Sequence, residues 1–478
     1  MHDDPVAPLA GFEEGDRWPQ HPSRAERRSA GKAVRARLPL ARLAETGVAS
    51  GSRDVVALVG AGDAGRLPEL VPIRYGRMLR DAFTFFRGTA GLMARDLAAE
   101  GSSGLTVQLC GDAHLLNFGL YGSPERTLVF DLNDFDETLP GPFEWDVKRL
   151  VASMVLAARS RGCKPKQQRA IARAAAWRYR DAMRGFSEEP ALTTWYAQQE
   201  VEQVLAGLAG SEHLAYATKV ADRARGKDAS HATRRLTELV DGVRRIKLDP
   251  PLIESLSKYA QREVGMDAEE LVRSVFLRYR KSVADDVRVL LDRYTYVDSA
   301  LKVVGVGSVG TRCAIVVLQG GGGPDDLLFL QVKEAGSSVL EQHLGASGYT
   351  HGGQRVVAGQ RLMQSASDAF LGWSTGPKGV QYYWRQLRDW KGSVDVGEMS
   401  VDTLLMYGRL CAWTLAKAHA RSGDPAAISG YLGSSARFEE ALVAYGQAYA
   451  DQTERDYAEL AAAARDGRIT ADQAAMRG

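Results

Sequence analysis

The segment that opens TVQLCGDAHLLNFG carries Asp112, His114, Asn117, Asp131, Asn133, Asp134, Asp136, Glu137 and Asp146 within a short span. The acids sit between apolar runs, TVQLC and TLVF, that read as buried strands. Burying carboxylates is unfavourable unless they bind something, and a metal with a phosphate is the usual answer. Oxygen ligands suit Mg²⁺ or Mn²⁺, while no second His or Cys lies at zinc-ligand spacing. Asp112, with Asn117 five residues on, can orient or deprotonate a hydroxyl while the asparagine oxygen holds Mg²⁺. Strand alternation puts Asp131 and Asn133 on one face and Asp134 on the other, so Asp134 is taken as the metal carboxylate, with Asp131 as the alternative. His114 reads as a loop-holding hydrogen-bond partner. Asp146 opens a helix, where it can cap the backbone of the Asp112 loop.

The second set lies much later. Gly305-Val306-Gly307-Ser308-Val309-Gly310 is followed by TRCAIVVLQ, a strand. A dinucleotide-binding fold requires strand, glycines and then a helix. Strand, glycines and strand is instead the order of the kinase loop whose backbone covers ATP phosphates, although a plain hairpin has the same order. Lys333, late in LLFLQVKEA, fits the lysine that neutralises α- and β-phosphate oxygens. Glu341, eight residues on, is the candidate partner for it, with Glu334 as the other choice.

Residue by residue the acidic set resembles the aminoglycoside-phosphotransferase branch of the kinase-like fold. The pattern HGDxHxxN…DFxD…D is matched by Gly111, Asp112, His114, Asn117, Asp134, Asp136 and Asp146, with Cys110 in place of the first histidine. The resemblance implies ATP and Mg²⁺ as cofactors and a small-molecule acceptor in preference to a protein one. The order of the two sets is inverted relative to kinases, and a circular permutation accounts for this at little energetic expense when termini lie at the surface. The chain also resembles an uncharacterised bacterial domain-of-unknown-function family through FFRG, CGDAHLLNFG, SPER, NDFDETLPGPFEWDVKRL and VKEA. That likeness implies bacterial origin and no established activity.

These residues need elements to hold them. The expected fold is α+β: a two-lobed, permuted kinase-like architecture with a helix-rich lobe and a small antiparallel β-rich lobe. The expected parts are an N-terminal arm and helices (1–70), a helix-rich lobe with the catalytic and metal loops (71–292), an ATP-binding β lobe (293–395) and C-terminal helices (396–478). Residues 71–99 read as helical with a break at Gly88, and 165–292 as mostly helical. SRAERRSAGKAVRARL reads as a solvated arm or helix face, with a phosphate or acidic-partner contact as the alternative, and His419 as a cation complementing a helix C-terminus. Net charge is only +2, which gives no general argument for nucleic acid. The four cysteines are far apart and read as reduced thiols. No run reaches membrane-span length, and MHDDPVAPLAGFEEGDRW lacks signal-peptide order, so a cytoplasmic protein is expected. The functional expectation is an ATP- and Mg²⁺-dependent phosphotransferase. The alternatives are AMP transfer on the same fold, a nucleotide-binding protein without turnover, and a metal-dependent hydrolase using the acids alone.

Overall fold

The apolar runs that flank the acids form short strands in the computed structural model, which describes residues 22–48, 53–387, 390–392, 394–472 and 474. Strand β1 (Thr106–Leu109) pairs with β4 (Leu139–Pro142), while β2 (Phe118–Gly122) and β3 (Leu128–Leu132) form a hairpin extended by the two-residue β5 (Gln199–Glu200). The Asp112–Asn117 loop joins β1 to β2, and the Asp134–Glu137 loop joins β3 to β4. Both pairs are antiparallel, so the two acidic loops emerge side by side.

A continuous core surrounds these strands. Helices Glu144–Ser160, Pro165–Glu188, Val401–Ser422 and Arg437–Arg465 contribute to it together. Helix Glu144–Ser160 is buried over nearly its whole length, because helices from both ends of the chain pack around it. Sequence far downstream thus completes the lobe that carries the acids. The basic run near the start forms a docked helix, Arg24–Ala33, in which only Gly31 is buried and the cations stay on a solvated face, as the helix-face reading expects. It lies against helix Pro425–Leu432. Glycine permits the approach: a Cβ on Gly31 would sit 1.8 Å from the Ala427 carbonyl oxygen, and one on Gly430 would sit 2.1 Å from that of Arg28. Its cations pair with Glu188 and Asp424.

The helices expected in 71–99 are three, Val71–Met78, Ala82–Arg87 and Ala90–Ala98, with the break at Gly88 as read. Residues 165–292 are less uniformly helical than expected. Thr237–Val240 (β6) and Val243–Ile246 (β7) form a hairpin across Asp241 and Gly242, both at positive φ. That is the Asp-Gly two-residue turn, obscured by its charged flanks. Ile253–Ser255 (β8) then joins the main sheet.

The main sheet is antiparallel and six-stranded. Strands β9 (Thr295–Lys302), β10 (Cys313–Gln319), β11 (Leu327–Glu334), β12 (Gly372–Thr375) and β13 (Gln381–Gln386) complete it in the order β12-β13-β11-β10-β9-β8. Helix Gly352–Met363 lies between β11 and β12 in the chain. Period-2 alternation gives the faces different tasks. Val316, Leu318, Leu328, Leu330, Val332 and Trp384 pack on residues of helices Leu256–Tyr259, Ala268–Tyr279 and Asp285–Leu291. The sheet lobe therefore draws in chain from well before residue 293. On the other face, Ile315, Val317 and Phe329 are covered by Ala232, Leu236 and Ile246. Further along that face, Gln331 and Lys333 stand opposite Arg385 and Tyr383 and turn toward the acidic loops. The fold is thus mixed α+β with antiparallel sheets. Among the described residues no helix is long and apolar enough to cross a membrane, and the four cysteines are free thiols.

Candidate functional site

The Asp112 loop is built by backbone constraints. Gly111 has φ +83°, and a Cβ there would meet the Glu137 carbonyl oxygen at 2.3 Å, so only glycine fits. Asp146 accepts from the Cys110 N–H at 2.7 Å and the Gly111 N–H at 3.0 Å, which is the capping role read for it. His419 lies 3.2 Å from the same carboxylate, and its other ring nitrogen is 2.7 Å from the Tyr179 hydroxyl. It is fully buried and supports Asp146 rather than serving as an exposed helix-end cation. The Cys110 thiol donates to the Asp134 carbonyl at 3.1 Å, tying the two acidic loops together.

Within the loop, Asp112 accepts from the buried Arg149 guanidinium at 2.6 Å. The Asn117 amide donates to the Asp112 carbonyl at 2.6 Å, which leaves its side-chain oxygen to accept elsewhere. His114 accepts from the Leu116 N–H through Nδ1, and burial pushes its imidazole down to about 3. It is a neutral loop support at physiological pH.

The second acidic loop reaches the sheet. Asp136 accepts from Lys333 Nζ at 2.5 Å, from the Tyr383 hydroxyl at 2.7 Å and from the Ser308 hydroxyl at 3.2 Å. Burial opposes its charge, but the Lys333 ammonium and the hydrogen bonds from Lys333 and Tyr383 prevail and hold the carboxyl at about 2. Burial likewise opposes the Lys333 charge, and Asp134 with Asp136 outweighs it, so the lysine stays charged. Asp134 lies 3.7 Å from Lys333 and is the more open of the two acids. Burial, reinforced by the charge of Asp136, raises its carboxyl above the usual range. Asp136 accepts from three side-chain donors, whereas Asp134 accepts only the Asp136 N–H at 3.3 Å among the described residues and keeps free oxygen lone pairs.

Lys333 thus pairs with Asp136 and Asp134 instead of Glu341. Glu341 accepts from the Ser338 N–H at 2.9 Å and lies 3.8 Å from Arg355. Arg355, on helix Gly352–Met363, donates to the carbonyls of Thr138, Asp136 and Gly336 at 2.7–2.9 Å. That helix therefore presents a cation that clamps the acidic loop by its backbone. Glu334, the other candidate, pairs with Arg312 at 3.0 Å. Asp131 is committed to Lys417 at 2.6 Å in a buried ion pair, which removes it as a metal ligand. Asn133 lines a separate cavity of about 250 Å³ with Tyr121, Asp368 and Lys391.

The glycine-rich stretch is a short turn, Val306–Ser308, between β9 and β10. Val306 packs with Met78 and Phe85. Arg66 donates to the Gly307 carbonyl at 2.9 Å and also to Val309, and Arg77 donates to Val304. A Cβ on Gly305 would meet nothing within 4 Å. Gly310, at φ +91°, abuts Arg66 and closes the turn without lining the cavity.

One cleft of about 550 Å³ collects these parts. Gly305, Val306, Gly307, Ser308 and Lys333 line it from the sheet side, and Asp112, Asn117, Asp134 and Asp136 from the other. Lys333 and Asp136 are 197 positions apart in the chain. Its size falls in the range of small-ligand sites. Among the described residues no three His, Cys, Asp or Glu side chains are grouped to hold a metal by themselves. Sequence reasoning missed Arg149, Arg355, Tyr383 and Arg66. Tyr383 had a signal, since it stands on the strand facing Lys333. The arginines act on carbonyls or acids remote in the chain and leave no local pattern.

Residues 66–463 match the family described as an uncharacterized protein conserved in bacteria (DUF2252), and the chain belongs to that family. No curated protein and no solved structure matches the chain.

Proposed function

We propose that this member of the DUF2252 family is an ATP- and Mg²⁺-dependent phosphotransferase on a circularly permuted, kinase-like framework. The observation that carries the reading is that the glycine turn and Lys333 share one cleft with Asp112, Asn117 and Asp134. The strand–glycines–strand order, the lysine on the next strand, the helix after it and the closing hairpin follow kinase order when the chain is read from Thr295. The helix Val401–Ser422 comes next, and the catalytic loop is supplied from the other end of the chain.

Mg²⁺·ATP supplies the phosphoryl group and the cation that screens it. Asn117 and Asp134 would hold the metal through one amide oxygen and one open carboxylate, hard oxygen donors of the kind Mg²⁺ takes. A site of two protein ligands accords with there being no group of three His, Cys, Asp or Glu placed to hold a metal among the described residues. The backbone of Gly305–Ser308 covers the phosphates. Lys333 retains donors beyond its bond to Asp136 and neutralises phosphate oxygens. Asp112 aligns the acceptor hydroxyl and receives its proton as the oxygen–phosphorus bond forms and ADP leaves. Because Arg149 holds Asp112, alignment outweighs basicity in this role.

A thermal-shift titration with ATP, with and without Mg²⁺, tests the reading. Ligand at a hundred times its Kd stabilises by about 2.7 kcal/mol, and the shift should require Mg²⁺. A flat response overturns it. AMP transfer is separated from phosphoryl transfer by the mass added to product. Turnover that survives Asp112→Ala favours a different catalytic arrangement.

A further inference from the structure

The cations that line the cleft fall into two groups. Arg66 is engaged by carbonyls of the glycine turn, Arg74 by Asp63 at 2.7 Å, Lys333 by Asp136, and Arg385 by Gln331 and the Asn133 carbonyl. Arg87 and Arg95 also line it, and neither makes a hydrogen bond or ion pair among the described residues. Arg87 is half-buried, and its Nε is shielded from solvent with no acceptor. Burial weakens its charge, and the first acid to restore it is Asp112. Arg95 stands exposed at the rim beside His343. A desolvated guanidinium without a partner is costly, and an incoming anion relieves that cost.

Resting on the phosphotransferase reading, we propose that the acceptor is an anionic hydroxyl compound, carrying a carboxylate or phosphate that Arg87 binds with Arg95 at the rim while its hydroxyl meets Asp112. The Arg87 backbone carbonyl lies beside the glycine turn, 3.6 Å from a Cβ on Gly307, but the acid that most supports its guanidinium charge is Asp112, so the free pair is assigned to the acceptor rather than the triphosphate. A polycationic aminosugar would meet two guanidinium groups here that no acid among the described residues hydrogen-bonds. The chemistry is unchanged: the hydroxyl oxygen bonds to the γ-phosphorus, its proton passes to Asp112, and ADP departs.

The test uses the full chain saturated with Mg²⁺ and a non-hydrolysable ATP analogue. Inorganic phosphate, glycolate, ethylene glycol and glucosamine are titrated in by calorimetry. Phosphate or glycolate should bind at least about tenfold more tightly than ethylene glycol or glucosamine, the factor of one charge-assisted contact. Preference between the two anions tells a phosphate ester from a carboxylate acceptor. Arg87→Gln should remove that advantage and leave analogue binding unchanged, and Arg95→Gln should reduce it. Equal binding of neutral and anionic probes overturns the proposal, as does an advantage that survives both substitutions or a loss of analogue affinity in Arg87→Gln. The same titrations without nucleotide separate the two claims. Anion binding without analogue binding refutes the phosphotransferase reading alone. Analogue binding without anion binding refutes the acceptor proposal alone.

Discussion

Replacing Asp136 by asparagine should destabilise the protein by about 2–3 kcal/mol at neutral pH, and the size follows from its surroundings. The carboxylate is held at about 2 against an ordinary value of about 3.9, and each tenfold is worth about 1.4 kcal/mol. Breaking a buried ion pair typically costs about 3–5 kcal/mol because the remaining charge is stranded. Here the stranded ammonium is Lys333, 3% exposed, but Asp134 at 3.7 Å still compensates it in part. The lower end of that range is therefore expected. The amide keeps its shape and can still accept from Tyr383, but its NH2 replaces the oxygen that accepts from Lys333 and Ser308, so the loss combines charge with those hydrogen bonds. The sign with pH is fixed: a depressed carboxyl contributes stability that is present above about 3.9 and is lost as pH falls through about 2. The difference between Asp136→Asn and wild type, read from thermal midpoints, should thus be constant from neutrality down to about 4 and narrow below it. Lys333→Met in both backgrounds completes a double-mutant cycle, with a coupling of about 2–3 kcal/mol expected. A variant as stable as wild type at pH 7, or a difference that closes between pH 8 and 6, refutes the ion-pair account.

Other substitutions and conditions follow from the same contacts. Gly111→Ala should destabilise by at least about 2 kcal/mol, since it adds a Cβ at positive φ directly against the Glu137 carbonyl; urea midpoints read this, and a neutral effect would contradict the loop geometry. Mg²⁺ affinity should fall with acidification starting above the ordinary aspartate value of about 3.9, because the Asp134 carboxyl is raised and must ionise to bind. Calorimetry across pH reads it, and an affinity flat down to about 4 would exclude Asp134 as ligand.

What the sequence made legible were local matters. The glycine turn between two strands, Lys333 near the end of the third, the break at Gly88 and the cap of Asp146 on the Asp112 loop all follow from neighbours in the chain. What it hid were interactions that span the chain. Lys333 finds Asp136, and helix Gly352–Met363 offers Arg355 to backbone carbonyls, because packing of the two lobes decides which charges meet. Asp131 reads from its neighbours as the alternative to Asp134 for the metal, but Lys417, from a helix near the other end, claims it. The docking of Arg24–Ala33 depends on Gly31 meeting the Ala427 carbonyl and Gly430 meeting that of Arg28, an approach no periodicity reveals.

The most direct measurement is calorimetric binding of a non-hydrolysable ATP analogue to wild type, Lys333→Met and Asp134→Asn, each with and without Mg²⁺. The expected result is one analogue per chain in the presence of Mg²⁺, an affinity reduced at least about tenfold in each variant, and a Mg²⁺ dependence abolished in Asp134→Asn. Absence of binding to wild type, or binding indifferent to both substitutions, would contradict a nucleotide held between the glycine turn and the acidic loops.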